Sequence, residues 1–298
     1  MTAPSRPLQG ILWMIATGVC FITVTAIVKH AAQDLPAAEA AFLRYVLGLV
    51  FLIPMARSLL AVRMPASELG HFALRGLVHA FAVILWFYAM TRIPLAEVTA
   101  MNYLSPVYVT LGAALFLGER LALRRLIAVL VALIGAVIIL RPGFRALDPG
   151  HIAMVFTAML MGASYLLAKP LSLRHSAPMV VAMLSIMVTI GLAPFAIAVW
   201  VTPTLADLGW MFLVAFFATA GHYTMTRAFA AAPMAVTQPV TFLQLVWAVL
   251  LGWIAFSEPP DGWVILGGAI IMAAVSFIAW REARLRRVIT PHHTATKH

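Results

Sequence analysis

The chain has 298 residues, 63% of them hydrophobic and only 10% charged, against roughly a quarter charged in soluble domains, so it cannot remain dissolved as a globular protein. Its formal charge of +10 sits in short basic clusters between long apolar runs, a pattern of membrane loops facing lipid headgroups and not of nucleic-acid binding. Cys20 is the single cysteine, which excludes an intrachain disulfide and a cysteine-based metal site.

In chain order, the first apolar run from Gly10 to Val28 lacks an A-x-A-like cleavage site and is followed by nine similar runs, so it reads as a retained helix and not a signal peptide. Cutting at charge clusters and at Pro or Gly predicts spans near 10–28, 37–56, 71–91, 95–117, 122–140, 151–168, 178–200, 207–230, 234–256 and 262–280. Each approximates the ~20 residues a helix needs to cross the hydrocarbon core. Continuous apolarity excludes the alternation of barrel strands, and a helix satisfies its own backbone hydrogen bonds in lipid. The fold class expected is therefore an all-α polytopic membrane protein of ten transmembrane helices.

With the N-terminus cytoplasmic, the inner segments carry fifteen Lys or Arg residues and the outer segments four, namely Lys29, Arg92, Arg141 and Arg145. This bias predicts both termini in the cytoplasm of a bacterial inner membrane and supports an even number of spans. Arg44 alone falls inside a span, where snorkelling to the outer headgroups is the expected behaviour.

Self-comparison at an offset of 140 aligns Lys29 with Lys169 and Pro54 with Pro194; at 139 it aligns Pro94 with Pro233 and Glu119 with Glu258. Lysines and glutamates are scarce here, so these matches predict a duplication: 1–145 and 146–281 as two five-helix repeats, and 282–298 as a basic cytoplasmic tail. Five spans per repeat force the second copy to enter the bilayer from the opposite side. Two inverted-topology repeats can expose one midplane site alternately to either face, the architecture of many transporters.

Candidate site residues follow from polarity at membrane depth. Thr99, Asn102, Ser105 and Tyr108 of the fourth span match Gln238, Thr241, Gln244 and Trp247 of the ninth at the offset of 139, with Tyr103 and Phe242 as an aromatic pair. Three-residue spacing drifts around a helix, so not all can face one cavity, and helix-to-helix hydrogen bonds of about 0.6 kcal/mol account for such residues equally well. His79 lies mid-span with Trp86 seven positions on, on the same face; it is either a satisfied structural histidine or a proton-linked ligand. Pro106 and Pro239 interrupt the fourth and ninth spans. The expected substrate-binding set is Trp13, Thr17, His79, Trp86, Thr99, Asn102, Tyr103, Tyr165, Gln238 and Thr241. Its chemistry is neutral hydrogen bonding beside aromatic walls. Glu39 and Glu97 lie at span ends, so no buried carboxylate offers a proton or sodium site. Ala132, Gly135 and Ala136 against Gly267, Gly268 and Ala273 allow close helix approach within or between protomers, leaving monomer or weak homodimer open. No cofactor is implied, and the absence of H-E-x-x-H, G-x-S-x-G or paired buried carboxylates argues against an enzyme.

The elements Pro94–Val98 (P-L-A-E-V), Phe116–Arg120 (F-L-G-E-R) and Leu133–Pro142, with a second copy at Pro233–Val236 and Phe256–Glu258, resemble the EamA repeat of the drug/metabolite transporter superfamily. The second copy departs by Ser257 at the glycine position. The resemblance spans essentially the whole chain and is nearest in kind to the YddG-type amino-acid exporters. It implies two inverted five-helix repeats around a central cavity, passing a small molecule by alternating access. Aromatic and other neutral amino acids are the expected substrates, with drug, riboflavin, purine or sugar carriers as the alternative. The motif acids Glu119 and Glu258 are expected to anchor helix ends or loops.

Overall fold

A computed structural model describes residues 6–55, 64–116, 123–232 and 237–289, with no β-strand among them. The helices are α1 (Pro7–Ala31), α2 (Ala37–Gly48, continued by the 3-10 segment Leu49–Met55), α3 (Ala66–Met90), α4 (Leu95–Asn102), α5 (Ser105–Phe116) and α6 (Leu123–Leu140). They continue with α7 (Pro149–Ser172), α8 (Ala177–Ala198), α9 (Leu205–Ala231), the 3-10 segment Gln238–Thr241, α10 (Phe242–Phe256) and α11 (Gly262–Ile289). Glu119, the Pro233–Val236 motif and residues 290–298 of the basic tail lie outside the described residues.

Eight segments among the described residues are long and apolar enough to cross a membrane. The other two spans are the interrupted ones, α4 with α5 and the 3-10 segment with α10. Helix starts follow local chemistry. Asp148 and Thr204 form capping boxes with His151 and Asp207 at the heads of α7 and α9, satisfying amide groups that the first helical turn leaves free.

Packing obeys the duplication. α1 lies along α9, and α3, the counterpart of α9, lies along α7, the counterpart of α1. Equivalent helices also pack on each other, α2 with α8, α4 with α10, and α6 with α11, while α3 with α8 and α9 with α2 form a further symmetric pair of contacts. That pattern is a pseudo-twofold relating two five-helix repeats of opposite topology. α6 and α11 stand at its edge and expose Leu130, Ile134, Val137, Ile265 and Leu266. The small-residue stripes are used within the chain: a Cβ at Gly135 would sit 2.8 Å from the Gly267 carbonyl, and one at Gly267 2.5 Å from the Gly135 carbonyl. Ala132 and Ala136 are buried there too, so most of the surface suited to a dimer through these stripes is consumed inside the protomer.

Because the nearest obstacle at Gly267 is the backbone carbonyl of Gly135, Gly267→Val cannot be relieved by a rotamer change alone. It should lower the stability of the purified protein by about 3 kcal/mol or prevent folding. Gly262→Ala, where nothing lies within 4 Å of the added methyl, should leave the thermal unfolding curve unmoved.

Candidate functional site

The two broken spans meet at the centre of the molecule. Pro106 has no amide hydrogen, so the Asn102 carbonyl four residues earlier loses its helical partner. The Ser105 hydroxyl donates to that carbonyl at 3.0 Å, restoring the bond from a side chain. At the same break Tyr103 turns its hydroxyl across the repeat interface and donates to the Thr241 carbonyl at 3.0 Å, where the 3-10 segment passes into α10. Irregular backbone is tolerated at this depth because protein groups from both repeats satisfy it.

Beside this junction lies a cavity of about 280 Å³, near the lower bound of small-molecule sites. Of the residues expected from sequence, it collects His79, Trp86, Asn102, Tyr103, Tyr165 and Thr241 on its wall. Phe21, Tyr45 and Phe87 extend the aromatic lining, and Met161 and Met225 add flexible apolar surface. His79 Nδ1 lies 3.1 Å from the Ser164 hydroxyl, which fixes the ring against α7. The Trp86 indole N–H is buried without a hydrogen-bond partner. Such an orphan donor on a cavity wall is costly unless an acceptor arrives.

Matched polar positions separate as helix drift requires. The middle pairs, Asn102 with Thr241 and Ser105 with Gln244, line the cavity; Thr99 and Tyr108 pack away from it, and Trp247 is 40% exposed. Trp13 and Thr17 are also elsewhere. Thr17 pairs with the Thr224 hydroxyl at 2.9 Å, and Trp13 meets the Tyr223 ring edge with the Arg227 guanidinium 5.4 Å from its ring centre, so both serve the α1–α9 contact. The Gln238 side chain lies outside the described residues.

Arg44 corrects the sequence expectation most. It does not reach for the headgroups: its guanidinium lies 3.9 Å from the Tyr45 ring centre and lines the cavity. The wall is therefore not neutral. Its charged character was legible as a basic residue within a span, but its direction was not. His222, also on the wall, packs edge-on against Phe21 at 5.2 Å. Phe21, Tyr45, Phe87, Met161 and Met225 carry no sequence signal that distinguishes them from core.

A second, larger cavity of about 540 Å³ lies at the end where α1 finishes, lined by residues 257–262 and by Glu97 and Arg141. We assign the site to the smaller one because it lies between the repeats at span depth, whereas the larger belongs to loops at one end. That end is held by ion pairs. Lys29 Nζ lies 2.6 Å from Glu258 and donates to the Ile93 carbonyl at 2.8 Å, while Glu258 accepts the Leu95 amide at 2.9 Å. Glu258 thus caps α4 from the opposite repeat, the anchoring role expected of it. Ser257 makes this possible by turning to φ 55°, the left-handed region glycine favours, so that the Glu258 amide closes back on the Gly252 carbonyl. Arg145 grips Glu97 at 2.8 and 2.9 Å with His151 2.5 Å from the same carboxylate, and Arg141 pairs with Asp261. The Glu97 carboxylate pushes the Arg145 guanidinium above its ordinary range. Three of the four basic residues expected on the outer side are therefore neutralised internally. Glu97 and Glu39 sit at span ends as expected, but both are buried, 3% and 0% exposed, and Glu39 accepts the Val201 amide at 2.9 Å.

Two inverted five-helix repeats enclosing a central cavity define a membrane transporter. The EamA-like transporter family matches residues 8–141 and 148–280, and the chain belongs to that family. The family consists of transporters and not enzymes. A riboflavin transporter of Rhizobium johnstonii is 32% identical over 95% of this chain and 95% of that one. The pseudopaline exporter of Pseudomonas aeruginosa is 28% identical over 89% of this chain and 94% of that one. A solved crystal structure at 19% identity superposes with a TM-score of 0.60, covering 93% of this chain and 97% of that one, which supports the fold.

Lys29→Met should cost about 3 kcal/mol in thermal or denaturant unfolding, because it strands a largely buried Glu258. Lys29→Met with Glu258→Gln should recover most of that loss; strict additivity of the two single changes would show that the pair is not coupled. Ser257→Gly should raise stability by about 1 kcal/mol by relieving the left-handed backbone.

Proposed function

We propose that this protein moves a planar aromatic metabolite rich in oxygen or nitrogen acceptors across the bacterial inner membrane, with riboflavin as the leading candidate. The observation that carries the reading is the unpartnered Trp86 indole N–H on a wall otherwise built from Phe21, Tyr45, Phe87, Tyr103 and Tyr165. Flat aromatic surfaces favour a ring system stacked between them, and the free donor favours a carbonyl on its edge. The name of the Rhizobium relative supports the same class. Alternating access would expose the cavity to each face in turn, both termini being cytoplasmic on the charge bias. Among the described residues the cavity wall holds no carboxylate, which supports movement down a gradient without sodium coupling at that wall and leaves His79 as its candidate for proton linkage.

A second reading, export of aromatic amino acids, is favoured by Arg44, whose guanidinium offers a partner for a carboxylate beside the aromatic wall. Counterflow in proteoliposomes separates the two. Vesicles preloaded with riboflavin should accumulate labelled riboflavin well above empty vesicles, and Trp86→Phe should weaken the apparent affinity roughly tenfold by removing the N–H while keeping an aromatic ring. Counterflow of tryptophan or phenylalanine without riboflavin would give the second reading precedence, and failure of all three by a folded preparation would sink both.

A further inference from the structure

One positive charge lies on the cavity wall and a second behind it, and among the described residues no acid answers either. Arg44 is on the wall, and its contact is the Tyr45 ring. Arg75, in α3, is 5% exposed; one Nη donates to the Val180 carbonyl at 3.2 Å, and its Nε is buried without a partner. It lies within electrostatic reach of Tyr45, Tyr165 and His79, three residues of the cavity wall. No carboxylate among the described residues forms an ion pair with either arginine. The ion pairs there belong to the Lys29 end and to the opposite end, where Glu68 meets Arg174 and His175.

Unpaired guanidinium groups at membrane depth are expensive, and they persist where they face a water-filled path or receive a counter-charge from what passes along it. The remaining wall donors point to the same complement: the Trp86 N–H is free, and Asn102 contributes an amide. Among the described residues the cavity wall therefore carries positive charge and free donors but no carboxylate.

We propose that Arg44 is the group that selects substrate charge, binding an anionic oxygen group, a carboxylate in the simplest case, carried on an aromatic ring, with Arg75 acting as a positioning charge behind the wall. This rests on the assignment of the cavity above and favours the second, carboxylate-bearing substrate class, since riboflavin itself carries no anionic group. It predicts that cationic aromatic compounds are excluded even when their rings fit. The physical cause is the sign of the field at the wall, since a ligand cation would add a third uncompensated charge to the same low-dielectric space.

The test uses one ring with three charges. Binding of indole-3-acetate, indole-3-acetamide and tryptamine to the full chain in lipid nanodiscs, read by ligand-induced thermal shift and by inhibition of riboflavin counterflow, should rank carboxylate, amide and then cation. At least about tenfold should separate the first from the last. In Arg44→Gln the order should collapse to within about twofold, whereas Arg44→Lys should restore a preference for the carboxylate. Arg75→Gln should reduce the preference without abolishing it. The ranking in the unmodified protein stands without any variant, so a misfolded Arg44→Gln does not remove the test. Equal binding of all three compounds, or an unchanged ranking in folded Arg44→Gln, would overturn the proposal. Riboflavin counterflow continuing normally in that case would leave the transport reading standing, whereas no binding of any indole together with no riboflavin counterflow would defeat both.

Discussion

Within hydrocarbon, every backbone amide and carbonyl must find a partner inside the protein, and the rest of this structure depends on where that requirement is relaxed. Eight spans meet it by unbroken helices or, in the second, by a helix that tightens into a 3-10 turn. The fourth and ninth do not, and their breaks are admissible only because they lie between the repeats. Ser105 returns a donor to the Asn102 carbonyl, and Tyr103 crosses to the Thr241 carbonyl, so each defect is repaired by side chains. The repaired breaks place Asn102, Tyr103 and Thr241 on the cavity wall.

The pseudo-twofold distributes the other work. Pairing α1 with α9 and α3 with α7 builds two equivalent walls, while α6 and α11 close against each other through glycine backbones and face lipid. At the Lys29 end, one member of each duplicated pair meets the other: Lys29, matched in sequence to Lys169, pairs in space with Glu258, matched to Glu119. Ser257 adopts a left-handed backbone, the conformation glycine takes at least cost, at the place where the sequence of the first motif copy has a glycine. A transporter must break contacts of this kind to open that end, so their strength bears on the rate of access as well as on stability.

Charge is arranged differently at the two depths. At the Lys29 end, cations and carboxylates neutralise one another in close pairs. At and behind the cavity wall, Arg44 and Arg75 have no such partners among the described residues, and the wall offers donors with aromatic surface. The contrast separates a structural use of charge, where both members belong to the protein, from one in which the second member is left to arrive.

The sequence by itself determined the membrane environment, ten spans, their duplication and inversion, because hydropathy and loop charge are properties of whole segments and survive uncertainty in any single side chain. It also located the interrupted spans, since Pro106 and Pro239 act through the backbone. His79 and Trp86 were legible as a pair because helical periodicity alone puts positions seven apart on one face. What only the tertiary structure decided is which way each polar side chain turns. Thr17 and Thr99 have the same sequence credentials as Asn102 and Thr241, yet Thr17 faces a neighbouring helix and Thr99 is packed off the cavity. Arg44 is equally able, from sequence, to reach headgroups or a cavity. The rotation of α2 against α8 and α9 settles it inward, because helix orientation in lipid is set by the packing of many apolar contacts and not by the polarity of one residue.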